Sequence, residues 1–211
     1  MSAPPPDAGR PFVLDPTMPT EAVARALLAA ELHALAPDGV HTVGRIVETE
    51  AYLGLRDPAC HSFHGKRTPR VASMYLPAGH AYVYRSYGVH LCLNVVTGGT
   101  DAPEAVLVRA ARPLAGLEAM RARRGRPVAD HQLARGPGNL ARAFGVTADH
   151  DGAPLDGPAL WITEPTVTPD PTRIHRGPRV GIGPSNPARG WVLRYWLADE
   201  RAVSRGPVAG G

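Results

Sequence analysis

Lysine, cysteine and long apolar runs are scarce in this sequence. Arginine carries nearly all of the positive charge, because Lys66 is the single lysine among 23 cationic residues. Two cysteines, Cys60 and Cys92, are too few for a disulfide framework. No apolar run approaches the roughly 20 residues that cross a bilayer, and the start MSAPPPDAGRPF lacks the basic-then-apolar pattern of a secretory signal. We therefore expect a soluble, cytoplasmic protein that does not bind membranes.

Length and composition favour one globular domain. The chain has 211 residues, of which 44% are hydrophobic and 20% charged, enough for a substantial core without disulfides. Its net charge of +4 comes largely from arginine, whose planar fork matches phosphate. One arginine cluster could follow a nucleic-acid backbone: Arg121, Arg123, Arg124 and Arg126. The alternative is a solvated surface that happens to be rich in arginine.

The segment HTVGRIVETEAYL, from His41, predicts a β-strand that ends at Gly54. Side chains alternate between the two faces of a strand, so Glu48, Glu50 and Tyr52 share one face. A carboxylate two residues from an aromatic ring suits the wall of a binding pocket. The other interpretation makes both glutamates the solvated face of an antiparallel sheet.

A β-hairpin is predicted by HAYVYR and VHLCLNVV, with the turn at Ser86-Tyr87-Gly88. Tyr82 and Tyr84 then point to one face, and Tyr87 stands at the exposed tip. Core packing is a sufficient explanation for Tyr82. An aromatic side chain at a turn is harder to bury and often contacts a partner, for instance as a wedge in a base stack.

Three helices are predicted outside these strands. Thr20 should cap a helix that runs to about Leu35, before a connection at Asp38-Gly39. A second helix should open at Pro113. In ARGPGNLARAFGV a glycine-rich turn should lead into a short third helix with Leu140 and Phe144 on one face. Further strands are expected at 104–111, 160–163, 179–182 and 192–197.

These elements predict a single α+β domain. Its curved, mainly antiparallel β-sheet should carry the protruding hairpin and be flanked by helices. We expect the domain to span 19–200, between a proline-rich segment at 1–18 and a C-terminal tail at 201–211.

The connection between the first strand and the hairpin is long and rich in Gly, Pro, His and Arg. Such a loop in a compact domain is typically functional or disordered. A metal site is one hypothesis, with ligands from Cys60, His61, His64, His90 and Cys92. No paired-cysteine spacing, HExxH helix or zinc-deaminase pattern accompanies these residues. We therefore expect no metal and no other cofactor.

The scarcity of lysine also restricts mechanism. An enzyme that attacks a sugar through an amine, and then cuts the strand, needs a lysine or a free N-terminal amine. Only Lys66 and the amino terminus are available. If the protein cleaves nucleotides, water is the expected nucleophile.

Six motifs, in order along the chain, resemble the alkyladenine (3-methyladenine) DNA glycosylases of the human-enzyme type. They are ETEAYLG from Glu48, the AYVYRSYG hairpin, LNVV around Asn94, VLVRA around Arg109, GPGNL from Gly136 and RVGIG from Arg179. The resemblance implies a base excision repair enzyme that acts on double-stranded DNA. It would hydrolyse the N-glycosidic bond of alkylated or deaminated purines, as a monomer without lyase activity.

The resemblance also implies roles for the residues that would meet the extruded base. Glu50 would position and deprotonate the attacking water, and Arg109 would lie beside that water and the DNA backbone. Tyr52 would stack on one side of the base, with His61 and Tyr84 on the other.

Two further residues match positions that handle the duplex and normal bases. Tyr87 would fill the gap that the extruded base leaves, and Asn94 would crowd the exocyclic amino group of guanine. Val89 and His90 depart from the family pattern after the turn, and so does the additional His64 in the loop. A non-catalytic damaged-DNA-binding module with the same pocket is the alternative function.

Overall fold

The computed structural model of the protein describes residues 9–36 and 39–204. In this part of the chain, eight antiparallel strands form one curled sheet of half-barrel shape. The strands are β1 (Glu31–Leu35), β2 (His41–Tyr52), β3 (Ala81–Ser86), β4 (His90–Val96), β5 (Ala105–Ala115), β6 (Leu160–Thr163), β7 (Ile174–Gly177) and β8 (Arg194–Leu197). The helices are α1 (Thr20–Ala26), α2 (Leu117–Arg124) and α3 (Pro137–Phe144). The predicted α+β class with a curved antiparallel sheet is confirmed.

Strand β2 is the centre of the sheet. The order is β3-β4-β5-β2-β1-β6, and β8 pairs with both β2 and β7. The first half of β2 pairs with β1, and its second half pairs with β8 from Glu48 to Glu50. The pairing of β2 with β5 shifts register on both sides of Glu48, which marks a β-bulge. A bulge bends a strand and redirects its side chains. This bulge lies beside Glu48 and close to Glu50, the two glutamates that the sequence singled out.

The first predicted helix is too long. Helix α1 ends at Ala26, and the segment expected to continue it is strand β1. The chain leaves the helix through Ala29, whose φ is 69°, and backbone hydrogen bonds then join Ala29 and Ala30 to Ile46 of β2. In a leucine-rich segment that is buried on both faces, the spacing of the apolar residues does not distinguish a helix from a strand. Here the hydrogen-bonded pairing with β2 makes the segment a strand. Asp38, in the predicted connection, lies outside the described residues.

The prediction that Thr20 caps this helix is also wrong. Pro19 occupies the N-cap position, and Thr20 is the first helical residue. The Thr20 hydroxyl instead donates to Glu104 Oε2 at 2.6 Å and lies 2.7 Å from the Thr97 hydroxyl. A tertiary contact across the sheet has replaced the local cap.

Two other boundaries differ from expectation. Strand β5 continues to Ala115, so Pro113 lies in a strand, at a register irregularity opposite Gly44. Helix α2 begins only after Gly116, where φ is 72° and an added Cβ would lie 2.6 Å from the His41 carbonyl. The strand expected at 179–182 is absent, and β7 (Ile174–Gly177) precedes that position.

The hairpin and the third helix are confirmed. Strands β3 and β4 pair from Ala81↔Val95 to Ser86↔His90, with Tyr87 at the tip. Leu140 and Phe144 of α3 are buried in the core. Within the described ranges, none of the helices has the length and apolar character needed to cross a membrane.

The division of the chain into 1–18, 19–200 and 201–211 stays a prediction. Residues 1–8 and 205–211 lie outside the described part of the chain. The Phe12 N–H donates to the Ile162 carbonyl at 2.9 Å, and Phe12 and Leu14 pack against the core. The described portion of the N-terminal segment therefore contacts the sheet.

Candidate active site

A cavity of about 560 Å³ opens between the end of β2, the β3–β4 hairpin, the start of α3 and the loop at 180–182. Its size suits a small aromatic ligand. Six of the residues predicted from sequence line it: Tyr52, His61, Tyr84, Tyr87, Asn94 and Arg109. The seventh, Glu50, lies directly behind the wall. The fold therefore gathers, around one cavity, residues that are far apart in sequence.

Glu50 is completely buried and contacts three groups that line the cavity. Its Oε1 accepts the Val180 N–H at 2.7 Å and lies 3.3 Å from Nη1 of Arg109. Its Oε2 accepts the Tyr52 hydroxyl at 3.0 Å. The solvated-face interpretation of Glu48 and Glu50 is wrong, because both side chains have no exposed surface.

Burial raises the pKa of Glu50 above the ordinary value of a glutamate. Three contacts oppose this shift because they stabilise the carboxylate: the Arg109 charge, the Val180 N–H and the Tyr52 hydroxyl. A carboxylate with a raised pKa is a stronger proton acceptor than an exposed one. Glu50 is therefore suited to general-base catalysis.

Arg109 lies between the two glutamates of β2. Its Nε donates to Glu48 Oε1 at 2.9 Å, while Nη1 faces Glu50. Glu48 also accepts Nε of Arg194, from β8, at 2.7 Å. Burial alone would lower the pKa of Arg109, but Glu50 and Glu48 raise it above its ordinary value. The guanidinium therefore stays charged beside the cavity.

Three aromatic side chains form one side of the cavity. The rings of His61 and Tyr84 meet edge to face, with centroids 4.6 Å apart, and Tyr82 stacks on Tyr84 at 5.3 Å. His61 Nδ1 lies 2.7 Å from the Tyr82 hydroxyl. Tyr82 is buried in the core as well, so core packing and a place in the cavity wall both apply to it.

His61 contributes a neutral ring. Burial, with the nearby charges of Arg70 and Lys66, lowers its pKa to about 4. Its imidazole is uncharged at neutral pH, so it does not repel a cationic ligand. Burial also raises the pKa of Tyr84, which keeps that phenol neutral. Neutral π-faces of this kind attract cations.

Tyr52 stands apart from these rings and packs on Arg179. The guanidinium carbon of Arg179 lies 4.5 Å from the centre of the Tyr52 ring. Arg179 is fully buried, donates to the Ala51 carbonyl at 3.0 Å and to Asp57 Oδ1 at 2.8 Å. This arginine precedes Val180, so its anchoring fixes the N–H that reaches Glu50. The RVGIG motif pointed to this segment, but sequence reasoning gave Arg179 no role.

Asp57 organises the start of the loop that leads to His61. It accepts the N–H groups of Leu53, at 3.0 Å, and Ala59, at 2.9 Å. Burial alone would raise its pKa, but Arg179 and these two N–H groups hold the pKa of Asp57 below its ordinary value. Nothing in the local sequence distinguishes Asp57 from a surface aspartate.

Asn94 is held rigidly in the cavity wall. It lies opposite Tyr82 in β3 and Leu107 in β5, and its Nδ2 donates to the Tyr82 carbonyl at 2.9 Å. Cys92, two residues earlier, and Leu107 also line the cavity. The wall at Asn94 therefore has a fixed shape that can exclude ligands by contact.

The hypothetical metal ligands are not gathered into one group. Among the described residues, no three His, Cys, Asp or Glu side chains lie close enough together to hold a metal ion. Cys60 and Cys92 are buried thiols, and burial raises the pKa of both. His64 and His90 are exposed.

Tyr87 projects from the hairpin tip and is 89% exposed. It has a φ of 47°, and Gly88 follows with a φ of 71°. Positive φ at both central positions is the requirement of a type I′ hairpin turn. For a residue with a side chain this conformation costs about 1–2 kcal/mol. An exposed aromatic held in a strained turn at the cavity mouth is typical of a contact residue.

The arginine cluster on α2 is largely engaged within the protein. Arg121 pairs with Asp130 at 2.7 Å, and Arg123 donates to the Ala143 carbonyl of α3 at 3.1 Å. Arg124 is buried. The Arg123 contact ties α2 to α3. Contact of the arginine cluster with a nucleic-acid backbone stays a prediction.

Breaking the Asp57 pair should destabilise the protein strongly. We predict that Asp57→Asn lowers the free energy of unfolding by about 3–5 kcal/mol, because it leaves the Arg179 charge buried without a counterion. Since the folded pKa of Asp57 is lowered, its contribution is present at neutral pH and is lost as the pH falls below the ordinary aspartate pKa. Thermal or urea unfolding at neutral and acidic pH measures both effects.

Asp199→Asn is the matched control, because it removes an exposed partner of Arg173 at 3.1 Å. Exposed pairs contribute about 0–1 kcal/mol. Equal losses of stability in the two variants would contradict the assigned importance of the buried pair.

Comparisons with known proteins agree with this arrangement. The family model described as Methylpurine-DNA glycosylase (MPG) matches residues 15–201. A relative from Methanoculleus marisnigri is 49% identical over 88% of this chain and 94% of its own length. One from Frankia casuarinae is 45% identical over 88% of each chain, and one from Bdellovibrio bacteriovorus is 40% identical over 88% of this chain and 94% of its own length.

All three relatives carry the provisional name 3-methyladenine DNA glycosylase. The match covers nearly all of the described chain, including every residue that contacts Glu50. The resemblance drawn from the six motifs is confirmed. The chain belongs to the methylpurine-DNA glycosylase family.

Proposed function

We propose that the protein is a monofunctional DNA glycosylase that removes 3-methyladenine and related alkylated purines, and hypoxanthine, from double-stranded DNA. The observation that carries the proposal is the position of Glu50, a buried carboxylate with a raised pKa behind a cavity of about 560 Å³ with aromatic walls. A base inside a duplex shields its glycosidic bond, so the enzyme must extrude it into such a cavity.

Glu50 acts as the general base in this proposal. A water at the cavity wall gives its proton to the carboxylate, and its oxygen forms a bond to C1′ of the sugar. The C1′–N bond breaks, and its electron pair leaves with the base. The transition state resembles an oxocarbenium ion, so the negative charge of Glu50 also stabilises it. Arg109 orients the carboxylate and faces the same side of the cavity.

The aromatic walls select for a cationic base. An alkylated adenine carries positive charge before it leaves, and it therefore departs as a neutral molecule. Tyr52, Tyr84 and the neutral ring of His61 offer π-faces to that charge. The rigid Asn94 side chain crowds the exocyclic amino group of guanine, which disfavours the normal purine. Hypoxanthine is neutral and additionally needs a proton as it leaves.

Glu50→Gln should slow base release by orders of magnitude with little effect on binding. We predict a fall of roughly a hundred- to ten-thousandfold in single-turnover release of base from methylated and hypoxanthine-containing duplexes. The glutamine retains the shape of the side chain but cannot accept the proton. Release by the wild type should be insensitive to EDTA, and borohydride should trap no enzyme–DNA adduct.

Glu164→Gln, at an exposed pair with Arg10, is the matched control and should behave as wild type. A wild-type protein that binds lesion duplexes but releases no base would instead support the non-catalytic module. A trapped adduct would indicate amine chemistry and point to Lys66 or the amino terminus.

Tyr87 is proposed to enter the duplex in place of the extruded base. We predict that Tyr87→Ser weakens binding to a lesion duplex by about 1–3 kcal/mol, the usual value of one base–aromatic stack. Release should slow on duplex DNA and change little on single-stranded DNA, which leaves no gap to fill. Fluorescence anisotropy and single-turnover release on both substrates measure this.

Val167→Ser alters another exposed apolar residue, on a surface loop outside the cavity lining, and serves as control. If the Tyr87→Ser variant binds the lesion duplex and releases its base as well as the Val167→Ser variant does, Tyr87 is not the wedge.

The remaining expectations follow from the proposed reaction. One domain holds every residue assigned a role, so we propose that the protein acts as a monomer. A DNA substrate in a bacterial-type cell places it in the cytoplasm, at the nucleoid.

A further inference from the structure

Ser204 lies at the end of the described chain and inside the ion network of the site. Its hydroxyl donates to Glu48 Oε1 at 2.7 Å and accepts from Arg109 Nη2 at 3.1 Å. Its N–H donates to Glu48 Oε2 at 2.7 Å, and its carbonyl accepts from Arg194 Nη2 at 2.8 Å. Every polar group of Ser204 therefore contacts a charged side chain of the network.

Ser204 supplies half of the hydrogen bonds that Glu48 accepts from the described residues. The others come from Nε of Arg109 and Nε of Arg194. Three of these four bonds end on Oε1, and the Ser204 N–H is the donor to Oε2. Because Glu48 is completely buried, a lost donor cannot be replaced by bulk water.

The same residue completes the contacts of Arg109. The three nitrogens of this guanidinium face three different partners: Nε faces Glu48, Nη1 faces Glu50 and Nη2 donates to Ser204. A guanidinium is planar, so three partners around its edge fix its orientation. Ser204 is the neutral partner among them, and its replacement leaves the charges of the network unchanged.

The segment that carries Ser204 is anchored to the core. Ala202 is buried, and Val203 packs against the main hydrophobic cluster. The Val203 carbonyl accepts Nε of Arg135 at 2.9 Å. The packing of Ala202 and the contacts of Val203 thus fix the chain immediately before Ser204.

We propose that Ser204 is a positioning residue that holds the Arg109 guanidinium against Glu50. The inference rests on the proposed glycosylase function and deepens it. It also extends the catalytic unit beyond residue 200, into the segment expected to be a tail. Without the hydroxyl, Nη2 of Arg109 loses its partner, only Glu48 and Glu50 hold the guanidinium, and Nη1 can shift relative to Glu50.

A displaced Arg109 has a consequence for pH dependence. The Arg109 charge favours the ionised form of Glu50. When that charge moves away, the pKa of Glu50 rises further, and the base loses its proton only at higher pH. The acidic limb of the rate profile should therefore move to higher pH, which a general loss of stability would not produce.

The test is single-turnover base release from a 3-methyladenine-containing duplex over a range of pH. Ser204→Ala should lower the plateau rate by about ten- to a hundredfold, since small misplacements of catalytic groups cost this much. Its acidic limb should shift to higher pH, and its affinity for the duplex should stay unchanged. Ser204→Thr retains the hydroxyl and should restore most of the rate and the wild-type limb.

Ser73→Ala is the matched control, because Ser73 is buried and donates to Asp151 Oδ1 at 2.6 Å, outside the network. The Ser73→Ala variant should lose stability, and the acidic limb of its rate profile should not shift. If the wild type is active and the Ser204→Ala variant has the same rate and the same acidic limb, the role of Ser204 is overturned and the proposed function is not. A lower rate with an unshifted limb, as in Ser73→Ala, assigns Ser204 a structural role and also overturns it. Release by neither wild type nor variant refutes the proposed function itself.

Discussion

Two glutamates with no exposed surface lie two residues apart on the central strand, and the rest of the site depends on keeping them charged. Moving a carboxylate out of water costs several kcal/mol even after relaxation, and a buried partner must offset that cost. Arg109 of β5 and Arg194 of β8 supply the opposite charges from the two strands that flank β2. The sheet order, with β2 between β5 and β8, is therefore what makes this charge cluster possible.

The two glutamates have different surroundings and so different tasks. Glu48 is enclosed by donors from three elements and serves to orient Arg109. Glu50 contacts groups that line the cavity, and its pKa is raised. The second buried ion pair, Asp57 with Arg179, holds the loop that carries Val180 and supports the far face of Tyr52. Charge pairs thus position both the Glu50 carboxylate and one wall of the cavity.

Local periodicity predicted part of this site, and the resemblance of the six motifs added His61, Asn94 and Arg109. Alternation along β2 placed Glu48, Glu50 and Tyr52 on one face, and the hairpin pattern placed Tyr87 at the tip. Periodicity failed where tertiary pairing decides, as in β1, whose leucines also fit a helix. The helix start predicted at Pro113 is wrong for a related reason. A register irregularity in the sheet tolerates a proline there, although proline otherwise favours a helix start.

The supporting residues could not be found from the sequence, because their partners are distant along the chain. Ser204 is 156 residues from Glu48, and Arg179 is 122 residues from Asp57. Ser204 belongs to none of the six motifs, and the RVGIG motif that begins at Arg179 does not indicate that this arginine pairs with Asp57. Only the curled sheet brings them together. The sequence therefore identified groups that line the cavity, and it missed those that hold them in place.

The most direct test is the pH dependence of base release by the wild-type protein under single-turnover conditions, with Glu50→Gln measured beside it. We predict one acidic limb, in which the rate rises with pH, with an apparent pKa above the ordinary value of a glutamate. The residual rate of Glu50→Gln should lack that limb. A limb at the ordinary glutamate pKa, or one that persists in Glu50→Gln, would contradict the assignment of Glu50 as a buried general base.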